Sequence, residues 1–333
     1  MSCIRLLLPW GMLACAPARP LVDPLLDTGW FDDGPWELGC RERLVEVAPG
    51  DGAERWYWRT PPRFTVTQPW EGYQAQLSTS DGLLIPSTLE VSDDGLTYTV
   101  RPDEALAPDA EHVLELEDCD GRTELRFTTS TLGLPLEGGT SSLSGRTWQL
   151  DLARATWLQP GGFGPTLGGF LESAPILVGV RLATDDVVRW IGTNGTGGTG
   201  GITQSIKYPT WAFPTVPFGE APYFEVETAG IELAVGDSLL PISELRFTGT
   251  FSADGTRIGG ATLSGSGDTR FAGGAAGNAA DPGAFCQLAE GLGVQCEPCA
   301  DGKPYCMTVE VVDLSAPEVP GLTLVPVILE TAP

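Results

Sequence analysis

Four cysteines near the C-terminal end, Cys286, Cys296, Cys299 and Cys306, stand in the pattern C-x9-C-x2-C-x6-C. Four thiolates can hold Zn²⁺ tetrahedrally, but a zinc ribbon carries two close C-x2-C pairs, and here Cys296 and Cys299 make one such pair. In an oxidising compartment the same residues close two disulfides, which is the favoured assignment, with three connectivities open. The one histidine of the chain, His112, would have to serve any Ser-His-Asp or Cys-His chemistry. It falls mid-strand on an inward-facing parity, which suits a core residue better than a general base. Histidine-based zinc or iron catalysis lacks its ligands. Paired carboxylates could hydrolyse a glycoside, yet among 44 acidic residues no pair singles itself out. The run Gly192 to Gly201 lacks the Gly-Lys-Ser/Thr ending of a phosphate loop and is expected to be a mobile surface loop, as is Ala272 to Ala280. Trp148, Trp157, Trp190, Trp211, Phe213, Phe218, Tyr223 and Phe224 concentrate in one stretch. They either line a pocket for an apolar or sugar ligand or, the favoured reading, form a core.

The elements that would position these groups are β-strands. In 333 residues, 43 Gly and 28 Pro exceed a fifth of the chain, without a collagen-type triplet, which points to many turns joining short strands. Ten Trp and 12 Phe supply the bulk of a β core. The charge balance of 19 − 44 = −25 repels nucleic acid and anionic headgroups, so neither is expected as a partner. No apolar run approaches the roughly eighteen residues of a membrane helix. The acidic pairs Asp32-Asp33, Asp93-Asp94 and Asp185-Asp186 sit beside turn signals and match no EF-hand, so solvated turn tips are favoured over Ca²⁺ sites.

Residues 1–15 read as an export signal: Arg5 opens it, Leu6, Leu7, Leu8 and Leu13 make it apolar, and Met12-Leu13-Ala14-Cys15 closes it. That tetrapeptide resembles the bacterial lipobox, departing from it at Met12, where the family usually has Leu. The resemblance implies diacylation of Cys15. Ordinary cleavage after Ala16 is the alternative, but Pro17 would then follow the scissile bond. Residues 16–40, with Pro17, Pro20 and Pro24, read as a tether. With Cys3 removed and Cys15 acylated, six cysteines remain: Cys40, Cys119 and the four of the cluster. An even number suggests three disulfides, one in the first half and two in the second.

From 41 to 130, strand signals recur at Arg43 to Val47, Arg55 to Arg59, Arg63 to Thr67, Gln74 to Leu77, Thr97 to Arg101, His112 to Glu117 and Glu124 to Thr129. Leu114, Leu116, Leu125 and Phe127 alternate with Glu115, Glu117, Glu124 and Arg126. Asp81-Gly82, Asp94-Gly95 and Asp120-Gly121 mark turns. The stretch from Ser92-Asp93-Asp94-Gly95 through Tyr98 and Pro102, then Leu106-Ala107-Pro108-Asp109-Ala110, His112 to Glu117 and Leu125-Arg126-Phe127-Thr128-Thr129, resembles the bacterial Ig-like domains of surface-layer and envelope proteins. It departs from them at His112, where the family often has Tyr. The resemblance implies a β-sandwich spacer without catalytic residues, and on this reading Cys40 pairs with Cys119.

Residues 131–144 read as a linker. Over 145–333 strands are expected at Arg146 to Leu152, Ile176 to Ala183, Tyr223 to Thr228, Gly230 to Val235, Glu244 to Ser252, Arg257 to Ser264, Met307 to Leu314 and Leu322 to Leu329. A helix is expected with Asp281 as N-cap, Pro282 first and Gly291 as stop. This region is similar to second domains of uncharacterised lipoproteins of Gram-negative bacteria. Asn194-Gly195-Thr196 matches the glycan-acceptor triplet, which has little weight in a bacterial protein.

The fold expected is therefore all-β: an Ig-like sandwich followed by a second antiparallel barrel or sandwich with one short helix. The expected function is an exported, lipid-anchored envelope protein, in the outer membrane and facing the periplasm or the cell surface, that binds or scaffolds and is not an enzyme. No cofactor or metal is expected. Its partners are the membrane through the anchor, and another envelope protein or a glycan. The alternatives are a carrier of a small apolar or sugar ligand inside the C-terminal β domain and, behind it, a carboxylate-based hydrolase.

Overall fold

The computed structural model describes residues 44–69, 72–118, 121–161, 174–198, 201–235, 238–274 and 276–328. The expected leader with Cys15, the tether, and Cys40 and Cys119 with their pairing lie outside these residues. Within them the architecture is all-β with one short helix, as the composition implied.

Nine strands build the first sandwich: β1 (Leu44–Ala48), β2 (Ala53–Trp56), β3 (Arg63–Val66), β4 (Gln74–Thr79), β5 (Leu84–Ile85), β6 (Ser87–Val91), β7 (Thr97–Pro102), β8 (Glu111–Asp118) and β9 (Gly121–Thr129). One sheet runs β1-β3-β7-β6 and the other β2-β9-β8-β4-β5, with β2 parallel to β9. The period-2 alternation decides which residues meet between them. Leu114, Leu116 and Phe127 are buried and Glu124 and Arg126 exposed, while Phe64 stacks on Tyr98 at 4.9 Å.

The second body faces two five-stranded sheets across another apolar core. The first comprises β10 (Thr147–Leu150), β12 (Ile176–Ala183), β13 (Val187–Gly198), β14 (Gly201–Gln204) and β15 (Trp211–Pro217). The second comprises β11 (Thr156–Gln159), β19 (Cys306–Pro317), β18 (Arg257–Asp268), β17 (Ser238–Phe251) and β16 (Tyr223–Val235). The sheets draw together where Trp148 bridges Glu318 and the backbone N–H of Asp151 donates to Ser315. Helix α1 (Ala284–Glu290) lies in the excursion between β18 and β19.

Several sequence expectations change here. The glycine run is no mobile loop: Gly192 to Gly198 belong to β13, which turns back into β14. Glycine is needed there for space, since a Cβ on Gly192 would stand 2.6 Å from the Trp211 ring and one on Gly195 3.0 Å from Leu177. Asn194 is fully buried and takes no glycan; its Oδ1 accepts from Ala234 N–H (3.1 Å) on β16, tying the two sheets together. Within Ala272 to Ala280, Ala272 is fully buried at the end of a 3₁₀ turn. The two strands expected around Gly230 are one strand, β16. Of the strand expected over Leu322 to Leu329, the described residues 322–328 run instead as an irregular strap. Helix α1 starts two residues later than expected, and Asp281 accepts from Gly283 N–H as a turn rather than as the N-cap. Residues 131–144 are packed rather than free: Leu143 is fully buried in the second core and Glu137 N–H donates to Ala253.

Both bodies close a hairpin with the same turn. Ser92 Oγ donates to Asp94 Oδ1 (2.6 Å), which also accepts from Leu96 N–H, and Ser252 Oγ donates to Asp254 Oδ1 (2.6 Å), which accepts from Thr256 N–H. These donors hold Asp254 down to about 2. The second turn also caps the core, because its Gly255 carbonyl accepts from the Trp148 indole (3.1 Å).

At the centre of the second core, Trp190 stacks on Phe251 (5.6 Å) and touches Phe224 (4.6 Å). Trp190→Ala is expected to cost about 3–5 kcal/mol in denaturant unfolding, the range for emptying a large aromatic site. Trp157→Ala, at a half-buried position, should cost clearly less.

Candidate functional site

The four C-terminal cysteines come together as two bridges, Cys286–Cys296 and Cys299–Cys306. The first fastens α1 to the segment after it and the second closes the hairpin leading into β19, so the expected staple geometry is present and the connectivity is fixed. Arg270 latches this excursion to the sheet. It donates to Asp268 (Nε–Oδ1, 2.9 Å) and to Asp301 (Nη1–Oδ2, 2.6 Å) at the hairpin tip.

His112 is fully buried on β8 beside Phe127, ring centroids 5.5 Å apart. Its Nε2 donates to the Ala107 carbonyl (3.3 Å), which also accepts from Thr129 Oγ1 (2.6 Å). Both bonds pin the loop at Ala107 against the sandwich, and no hydrogen-bond partner meets Nδ1. This is a fastening, not a nucleophile–base pair.

The aromatic set divides. Trp148, Trp190, Trp211, Phe213, Phe218 and Phe224 are buried and fill the space between the sheets, whereas Trp157 and Tyr223 are half-buried at its border. Tyr223 instead lines an open surface groove of about 560 Å³, with Val216, Pro217, Glu220, Glu225 and Glu227.

Beside that groove the two sandwiches dock. Beyond β2 the chain presents Tyr57, Trp58 and Arg59, which the sequence reading placed inside a strand. Tyr57 and Thr250 share a hydrogen bond of 2.6 Å between their hydroxyls, and burial pushes the Tyr57 phenol up to about 12. Its ring lies so close to β18 that a Cβ on Gly260, at φ +56°, would overlap it. Arg59 lies over the Tyr223 ring at 3.6 Å and pairs with Glu220. The one available signal was the run Trp56-Tyr57-Trp58-Arg59, whose uniform bulk fits no two-faced strand.

Chemically, the carboxylates of the groove are engaged: Glu220 with Arg59, and Glu225 with Arg246 (2.7 Å). Among the described residues, the carboxyl groups with displaced titration are Asp81, Glu90, Asp94, Asp254, Asp268 and Asp301. Hydrogen-bond donors hold every one of them down. A general acid at neutral pH needs the opposite displacement. A second open groove, of about 460 Å³ and lined by Gln74, Gln76, Leu84, Glu115, Glu117 and Arg122, lies on the outer face of the first sandwich.

No family model and no curated protein matches the chain. Solved structures with a likeness include CopC from Methylosinus trichosporium OB3b, at 16% identity over 26% of this chain and 92% of that one, TM-score 0.23. L,D-transpeptidase 3 from Mycobacterium tuberculosis matches at 14% identity over 26% of this chain and 37% of that one, TM-score 0.20. The S-layer protein rSbsC matches at 11% identity over 83% of this chain and 54% of that one, TM-score 0.19. Likenesses this remote carry no argument about activity, ligand or partner.

Burial holds the His112 imidazole below its usual range, against the weaker upward pull of its bond to Ala107. The unfolded chain therefore binds that proton more readily, and His112 makes stability fall as pH drops below about 6.5. His112→Gln is expected to be less stable than the parent at neutral pH, by a gap that narrows towards pH ~5 in paired denaturant titrations. A gap constant with pH would contradict a histidine buried in its neutral form.

Proposed function

We propose that this chain is an exported envelope protein, held to the outer membrane by acyl chains on Cys15 and facing the periplasm or the cell surface. It works as a binding or structural module rather than as an enzyme. The observation that carries this reading is the pair of bridges joining Cys286 to Cys296 and Cys299 to Cys306, since such bridges form and persist in oxidising compartments. Two further features support it. The interior of the second body is filled by its own aromatics, which leaves outer surfaces as the place for a partner. The one histidine is committed to a backbone carbonyl. Its partners are the membrane through the anchor, and another envelope protein or a glycan at the surface.

Two acyl chains suffice for stable anchoring, each buried CH₂ contributing about 0.8 kcal/mol. Intact-mass analysis of membrane-extracted protein is expected to show a mature start at Cys15 carrying acyl mass, and Cys15→Ser should leave the membrane fraction. A soluble product starting elsewhere, or a chain still beginning at Met1, would refute the anchor.

A further inference from the structure

β16 is the last strand of its sheet and pairs with β17 alone. Its free edge is treated differently at its two ends. At Glu232 to Ala234 the buried Asn194 amide stands in for a neighbouring strand: Oδ1 accepts from Ala234 N–H (3.1 Å) and Nδ2 donates to the Glu232 carbonyl (3.5 Å). At Tyr223 to Glu227 the edge is open. The Pro222 carbonyl accepts from Phe251 N–H on β17 (3.1 Å), and main-chain groups alternate sides along a strand, so those of Tyr223, Glu225 and Glu227 turn to that edge. Tyr223 N–H closes a turn on the Glu220 carbonyl (2.9 Å). Among the described residues, no strand other than β17 and no side chain bonds to the main chain of Glu225 or Glu227.

This open stretch borders the groove of about 560 Å³, whose lining also includes Val216 and Pro217 of β15. From Tyr223 to Thr228 the strand holds neither the proline nor the lysine that commonly blunts an exposed edge. Alternation buries Phe224 and Val226 and turns Tyr223, Glu225 and Glu227 outward in a row. On the β17 side one cation serves that row: Arg246 reaches Glu225 (2.7 Å) and lies 3.7 Å from Glu227, which is 72% exposed. Arg59, the other cation at the groove, is taken up by the Tyr223 ring and by Glu220. On the open side, among the described residues, no cation answers the two carboxylates of β16.

We propose that an extended, basic segment of a partner protein adds to the Tyr223–Glu227 edge of β16 as a further strand, its Lys or Arg side chains facing Glu225 and Glu227. Main-chain bonds to the edge supply the attachment, and alternate side chains supply the selectivity. The carboxylate row decides the occupant, because opposite charges on neighbouring strands attract and like charges repel. A second copy of this chain, at a net charge of −25, brings the same acidic edge and is turned away. The proposal gives the binding module of the preceding section its partner's chemistry and rests on that reading, but not on the anchor at Cys15.

The test titrates the full chain, carrying Cys15→Ser, with three end-blocked peptides. The first alternates Lys with Val, the second replaces each Lys by Glu, and the third is the Lys peptide with alternate main-chain nitrogens methylated. The Lys peptide is expected to bind and to slow amide exchange over 223–227, and the Glu peptide to do neither. Methylation should weaken binding about tenfold or more, since it removes main-chain donors. Glu227→Gln, an exposed and conservative change, should weaken it about threefold, and Glu225→Gln by a similar factor. A Lys peptide that does not bind at about 1 mM overturns the proposal. So does binding that methylation leaves unchanged, which is charge attraction without an added strand, or binding that both Gln variants leave unchanged, which lies elsewhere on the molecule. The acyl-mass measurement at Cys15 is untouched by any of these outcomes, so the docking edge and the anchored-module reading fail separately.

Discussion

The packing of Trp190 against Phe224, Phe247 and Phe251 is the constraint from which the second body follows. These rings come from one strand of the first sheet and two of the second, so the two sheets can close only at the distance the rings dictate. Close packing then forbids bulk beside them. Gly192 yields to Trp211, and Gly249 stands where a Cβ would be 3.0 Å from Phe224. Two polar groups of this interior hold its walls together, Asn194 by accepting from the backbone of β16 and Trp148 by donating its indole N–H to Gly255, whereas the indole N–H groups of Trp190 and Trp211 meet no partner and serve packing alone. Among the described residues, the centre of this interior is taken up by the protein's own rings.

A second constraint joins the two sandwiches. The exposed ion pair of Arg59 with Glu220 is worth little by itself, since Glu220 is 70% exposed and such pairs contribute roughly 0–1 kcal/mol. Burying the Tyr57 ring against Gly260 contributes more, because it removes apolar area from water and satisfies the phenol at Thr250. This accounts for an oddity on β17. Its alternation places Leu245, Phe247 and Phe251 in the core and Arg246 outside, yet Thr250, on the outer parity, is fully buried. The covering surface belongs to the other sandwich.

What the sequence disclosed follows from period and chemistry. Strict alternation located β8, β9 and the core parity of β17, and Ile176 to Ala183 matched β12 end to end. The cysteine spacing disclosed a staple but not its connectivity, which depends on how α1 and the hairpin turn. Reading failed where tertiary space overrides local preference. Gly192, Gly195 and Gly197 look like loop residues because glycine disfavours strands locally, and they are strand residues because neighbouring rings and chain leave no space for a Cβ at two of them. Tyr57 and Arg59 were absorbed into a strand because their true partners lie far along the chain, on β16 and β17.

The strap shows the same logic from the other side. The run Ile176 to Val180 is apolar throughout instead of alternating, which means both of its faces are covered. Its inner face meets the aromatic core, so a second cover had to exist. Leu322 to Ile328 supply it, and they cannot do so as a ladder strand, because they lie over the sheet rather than beside its edge. A backbone laid across a sheet face has no neighbouring strand ladder to satisfy its N–H and C=O groups, so isolated groups must do it. The Gln204 amide, the Thr210 hydroxyl and the Thr210 backbone N–H are the groups that do. The continuous apolar run, the missing side chain at Gly179, and the polar residues Gln204 at the end of β14 and Thr210 on the loop after it thus answer one requirement: an extended chain segment on that face.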